Sequence, residues 1–211
     1  MAASTDQAAV TRAYDRLAAV YDLYQRPMEW FGLAGRRRRL LSRAGGRVLE
    51  VGIGTGRNLG YYPPGTRVLG IDVAQRMLER ARRRAARTDA HVHLERADVQ
   101  RLPFPDGTFD TVVAACVFCS VPDPVRGLAE VGRVVKPGGR VLLLEHVRPR
   151  NRLLGAVADA LSPITRRVFG FNLNRRTEEN AVAAGLHLLE VRRRGIWREI
   201  VGGPGTRDGP P

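Results

Sequence analysis

Residues 48–58 read VLEVGIGTGRN. An apolar strand that runs into a glycine-rich turn is how an open α/β sheet presents a ligand at the carboxyl end of its first strand. A dinucleotide fingerprint spaces its glycines GxGxxG; Gly52, Gly54 and Gly56 form GxGxG, one position short, so the loop alone discriminates little. Glu50 says more. A carboxylate at the strand end repels a pyrophosphate and suits a ligand that carries a cationic amine.

Downstream, Asp72 ends the strand RVLGID twenty residues after Gly52, where a carboxylate can accept both hydroxyls of a ribose. Asp98, in ADVQRLPFPDGTFD (97–110), falls at the mouth of the sheet, where it can accept an adenine amino group with the Val99 backbone beside it. Each acid alone serves equally well as a turn or helix cap. Their order and spacing together are the signal.

Around these motifs apolar strand cores alternate with helical stretches: strands at 47–51, 67–71, 91–95, 109–115 and 140–145, a short helix after Thr55, and helices at 74–86 and 124–135. The pattern predicts a mostly parallel, doubly wound sheet covered on both faces. LHLLEVRRR and IWREIVG follow, separated by Gly195 alone, and so pair antiparallel. Upstream, residues 7–24 place Val10, Tyr14, Leu17, Tyr21 and Tyr24 on one helical face, and residues 28–44 form a second helical stretch. Residues 149–172 carry a stripe of Leu153, Val157, Leu161, Ile164 and Val168 with a kink expected at Pro163, before a further helix over 175–185. The expected organisation is an N-terminal helical segment (1–45) capping the site, a domain over 46–201 with a helical insertion at 148–176, and a disordered tail, GGPGTRDGPP, at 202–211.

At 211 residues, 44% hydrophobic and 27% charged, the chain fits one globular domain. The longest apolar runs, VVAACVFC (112–119) and VLLL (141–144), are far below the roughly 20 residues that span a bilayer. MAASTDQAAV lacks the basic region and apolar run of a signal peptide, so the expected compartment is the cytoplasm, with peripheral contact at a membrane surface as an option. The net charge of +14 attracts anions such as nucleic acid or an anionic membrane. Lys136 is the one lysine, however, and an arginine bias of that kind follows equally from a GC-rich coding sequence. Cys116 and Cys119 form a CxxC that closes a strand rather than opening a helix and has no partner ligands elsewhere, which favours a pocket lining over a redox or metal role.

VLEVGIGTGRN, GIDVAQRML (70–78), ADVQRLPFPDGTFD and VGRVVKPGGRVLLLEH (131–146) together resemble the successive motifs of class I S-adenosylmethionine-dependent methyltransferases, over about residues 10–200. The chain is more narrowly similar to ubiquinone/menaquinone-type enzymes and bacterial phospholipid N-methyltransferases; YYPPGTRVLGID, VFCSVPDP and VLLLEHV are also similar to animal methyltransferase-like thiol methyltransferases. The resemblance implies a Rossmann-like seven-stranded sheet with an antiparallel last strand, and S-adenosylmethionine as cofactor. It implies that Glu50, Gly52, Gly54 and Gly56 border the methionine part, that Asp72 holds the ribose, that Met77 packs on adenine and Asp98 with Val99 binds it, and that Cys116 and Val117 lie beside the cofactor. Met77 serves equally as plain core.

Methyl transfer is an in-line displacement that asks for alignment in a dry pocket and needs no metal. Tyr14 and Tyr21 can face the sulfonium, or simply pack their helix. His146, at the end of VLLLEH, is the best-placed base, with a backbone-bonded structural histidine as the alternative. An amphipathic acceptor, a phospholipid amine first, follows from the arginine-flanked segment 151–169; a quinone ring carbon or a thiol comes next. An RNA or protein acceptor is disfavoured because no binding module is appended, and a catalytically silent nucleotide-binding module is the remaining class.

Overall fold

The computed structural model describes residues 2–205, with side chains from residue 7 onward except that of Tyr24. A seven-stranded sheet in the order β3-β2-β1-β4-β5-β7-β6 forms its centre. The strands are β1 Arg47–Val51, β2 Arg67–Asp72, β3 His91–Arg96, β4 Phe109–Ala115, β5 Val135–His146, β6 Leu186–Arg194 and β7 Trp197–Pro204. β1 to β5 run parallel to one another, while β7 pairs antiparallel with both β5 and β6.

Both faces of the inner strands are apolar, and the period-2 alternation shows why. Leu49, Val51, Val112, Ala114 and Leu143 pack on one side with α5 (Pro124–Val134) and α7 (Thr177–Ala183). Val48, Val113, Leu142 and Leu144 pack on the other with α3 (Ala34–Leu41) and α4 (Gln75–Ala85). Buried on two faces, these strands read as continuous hydrophobic runs. The chain leaves β3 at the sheet edge and returns to β4 beside β1, so the strand order reverses between β1 and β4, where such sheets bind ligands.

Three expectations need correction. The first expected helix divides into α1 (Ala2–Leu17) and α2 (Tyr21–Met28), and Ala18, between them, is buried against Ala74 and Met77. The helix expected after Thr55 is a series of turns ending in one 3-10 turn, Leu59–Tyr61; Pro63 and Pro64 follow directly and forbid its extension. Gly202, Gly203 and Pro204, assigned to a disordered tail, are the end of β7. A Cβ on Gly202 would stand 2.7 Å from the His187 carbonyl oxygen, so this glycine is what the close β6–β7 approach requires. Residues 206–211 lie outside the described residues. The amphipathic segment is α6, Arg152–Phe169, which is helical throughout with Pro163 inside it. None of the described helices is long and apolar enough to cross a membrane.

Candidate active site

A cleft opens at the carboxyl ends of β1, β2 and β4. Glu50, Gly52, Gly54, Asp72, Met77, Asp98, Val99, Cys116 and Val117 all line it. Gly56 does not: with φ +77 it turns the loop against α4, where a Cβ would stand 3.2 Å from the Ala81 Cα.

The carboxylates are locally held. The buried Glu50 accepts from the Asn58 side-chain amide at 2.8 Å and from the Tyr62 hydroxyl at 2.7 Å. Asp72 accepts from the backbone N–H of Gly54 and of Ala74, both at 2.9 Å, and so ties the glycine loop to the start of α4. Burial pushes the Glu50 carboxyl up to about 7 and that of Asp72 up to about 6. Such shifts record negative charge that the protein leaves only partly compensated. Asp98 accepts from the backbone and side-chain amide of Gln100.

At the exit of β4, Cys116 has φ +60, the one described non-glycine residue with positive φ. The turn is held from behind by Glu145, fully buried, which accepts from the N–H groups of Val117 at 2.8 Å and Phe118 at 3.1 Å. Burial pushes the Cys116 thiol up to about 12 and holds that of Cys119 well above the ordinary thiol range too, so both stay protonated and neither is a ready nucleophile.

Next to the cleft lies a second cavity, and Tyr14, Tyr21, Gln25 and Cys116 line both. The two phenol rings stand 6.1 Å apart. Tyr14 shares a 2.5 Å hydrogen bond with Ser120, and Tyr21 accepts one from Gln25 at 2.7 Å. His146 belongs to this second cavity and not to the cleft. Phe171 and Trp197 meet its ring edge-on at 5.9 and 6.2 Å, and burial lowers its pKa to about 4, so the imidazole is neutral at physiological pH. Phe169, Leu173, Leu17 and Met28 complete an apolar wall, with no charged residue among the described lining.

Arg37, Asn58 and Gln25 also line the cleft without having been singled out from the sequence. Arg37 is buried, donating to Asn58 at 2.5 Å and to Glu29 at 3.0 Å. Its run, RRRR, reads as a solvated face. The signal was the spacing: Leu33, Arg37, Leu40 and Leu41 are the buried positions of one helical stripe.

Comparison with known proteins agrees with this geometry. The family described as a methyltransferase domain matches residues 49–143. The phosphatidylethanolamine N-methyltransferase of Cereibacter sphaeroides is 40% identical over 161 residues, 73% of this chain and 76% of that protein. The demethylmenaquinone methyltransferase of Thermus thermophilus is 39% identical over 152 residues, 68% of this chain and 69% of that one. Among solved structures, a Thermotoga maritima S-adenosylmethionine-dependent methyltransferase, described as a possible histamine N-methyltransferase, superposes with a TM-score of 0.70 at 21% identity over 92% of this chain and 99% of that one, which shows a shared fold. The Haemonchus contortus phosphoethanolamine N-methyltransferase 2, in complex with S-adenosyl-L-methionine, gives a TM-score of 0.61 at 23% identity over 75% and 38% of the two chains. By its identity of about 40% over more than two thirds of the phosphatidylethanolamine and demethylmenaquinone enzymes, the chain belongs to the S-adenosylmethionine-dependent methyltransferases.

Proposed function

We propose that the acceptor is the amine of a phospholipid headgroup. The observation that carries this reading is the apolar second cavity, contiguous with the cleft and reaching the exposed Ile196 at its rim; the protein also exposes Trp30 and Phe31, at 91% and 87%, and Leu161, Ile164 and Val168. A molecule that is part hydrocarbon fits both. The cavity offers no carboxylate to a cation, so an ammonium is disfavoured there and the neutral amine, the form with a free lone pair, is favoured. His146, neutral, accepts a hydrogen bond from the amine N–H and orients it. The same burial that keeps the imidazole neutral makes it a weak base, so its part is orientation more than proton removal.

On the cofactor side, the fit rests on the two buried carboxyls. Glu50 and Asp72 have raised pKa values that a cationic ligand would relieve, and S-adenosylmethionine carries both an ammonium and a sulfonium. In this reading Glu50 with the Gly52–Gly54 backbone faces the amino-acid end, Asp72 the ribose, and Asp98, Val99 and Met77 the adenine. Tyr14 and Tyr21, which divide the two cavities, present ring faces toward the sulfonium. When bound, the cofactor supplies the electrophilic methyl group. The protein contributes alignment and the exclusion of water.

Methyl-labelled cofactor offered with phosphatidylethanolamine in neutral-detergent micelles is expected to label the lipid. Label in demethylmenaquinone alone would replace this reading with the quinone one, which the aromatic cavity also suits.

The raised carboxyls predict a pH dependence with a definite sign. Their neutral forms stabilise the free protein below the ordinary carboxylate range, and that contribution is lost as pH rises through about 6 to 7. A bound cation favours the ionised forms. Cofactor affinity should therefore climb between about pH 5 and 7 and level off above, with protons released on binding near pH 6. Calorimetry in buffers of different ionisation heat reads that release; flat affinity and no proton release would remove the cationic end of the cofactor from Glu50.

A further inference from the structure

A groove between α1 and the C-terminal half of α6 belongs to neither cavity already described and meets the cleft at Val10 and Ser120. Arg12 and Arg16 line it from successive turns of α1, Arg166 and Arg167 from the end of α6, and Arg175 from the segment beyond. No carboxylate is among its described lining residues. Arg175 donates to the Val121 carbonyl at 2.8 Å, but its Nε is buried with no partner. Burial, joined by the like charge of Arg166, lowers its pKa below the ordinary guanidinium value. Five guanidinium groups line one groove, Arg166 acts on Arg175 as a like charge, and an anion set among them offsets that repulsion.

The floor and rim narrow the choice of anion. Val10, Pro122, Ile164 and Val168 lie between the arginines, and from Ile164 the exposed apolar stripe of α6 continues through Leu161 and Val157 to Leu153. A free inorganic anion gains nothing from such surface. A phosphate diester bearing hydrocarbon chains uses both features: its oxygens take the planar N–H forks of arginine in pairs, and its chains cover the apolar track.

We propose that this groove holds the phosphate diester of the acceptor lipid, seating it while its headgroup reaches past Ser120 and its hydrogen-bond partner Tyr14 to the place where the cleft and the second cavity meet. The inference rests on the phospholipid reading above and adds a phosphate requirement to it. It makes the acceptor's phosphate, and not its amine alone, a determinant of recognition.

The test uses Arg12→Gln/Arg16→Gln, both exposed positions on α1, with Arg82→Gln/Arg83→Gln, exposed on α4, as the charge-matched control. In neutral-detergent micelles the first variant should raise KM for phosphatidylethanolamine at least tenfold while kcat and cofactor affinity stay within about twofold, and the control should match wild type. Calorimetry with glycerophosphoethanolamine, a soluble diester, should show binding to wild type and loss in the first variant. Unchanged KM and unchanged diester binding overturn the groove while leaving lipid methylation standing. A defect confined to vesicles containing anionic lipid overturns the assignment to the acceptor, since the phosphate held would then be a neighbouring lipid's. If wild type methylates no phospholipid the functional reading fails, and diester binding decides the groove by itself.

Discussion

Asp72→Ala is expected to weaken S-adenosylmethionine binding by a hundredfold or more, about 3 kcal/mol. Asp72 not only faces the cleft; its carboxylate accepts from Gly54 N–H and Ala74 N–H at 2.9 Å each. Removal therefore deletes the proposed ribose acceptor and also frees the glycine loop from the start of α4, so the remaining contacts must be ordered at the expense of binding. Bonds to a charged acceptor are typically worth about 1.5–3 kcal/mol, enough for the loss stated. Asp72→Asn keeps one acceptor oxygen for two N–H donors and should recover part of the affinity. Calorimetry alongside a thermal melt checks the result: a folded Asp72→Ala protein that binds as wild type does would remove Asp72 from the cofactor site.

Gly52→Ala should cost about 3 kcal/mol of folding stability, and Val117→Ala should give part of it back. Gly52 has φ +60, and a Cβ there would lie 2.6 and 2.7 Å from the two Val117 methyl carbons. The left-handed conformation alone costs a non-glycine residue roughly 1–2 kcal/mol, and overpacking adds about 1–3. Only the second part is relieved by truncating Val117, so the two substitutions should couple by at least about 1 kcal/mol in a double-mutant cycle read by urea denaturation. Strict additivity would show that the loop moves away from β4 rather than pressing on it.

The sheet was legible because inner strands buried on two faces leave uninterrupted apolar runs, and because Glu50, Asp72 and Asp98 recur at strand ends in a fixed order. Local chemistry with a short range was also readable: Gly195 alone between two strand patterns left only an antiparallel pair. What escaped depends on contacts distant in sequence. Nothing in AAVYD announces that the helix divides here and that Ala18 is buried against Met77. Asn58 and Tyr62 close on Glu50 only because the chain beyond the glycine loop turns back instead of forming a helix. The second cavity gathers residues from α1, α2, β5, the end of α6 and the β6–β7 turn, and no single window holds its pattern. The end of β7 at Gly202 to Pro204 escaped because Gly-Gly-Pro is loop-like by composition, whereas the close approach of His187 asks for glycine at 202. The basic groove was hidden in an overall arginine excess.

The place of β7 has a consequence for how the protein comes into being. It lies between β5 and β6, so a late segment of the chain occupies an interior position of the sheet. During synthesis every described residue of the cofactor cleft has emerged by Val121, yet the outer edge of β5 has no partner until Trp197–Pro204 appears. Until then Leu142, Leu143 and Leu144 form an unpaired apolar edge, the kind that templates pairing with another chain. Trp197 then supplies both the first β7 pairing with β5, opposite His146, and a wall of the second cavity. The nascent chain thus gains protection from aggregation and its second cavity in one event, the insertion of its last described strand.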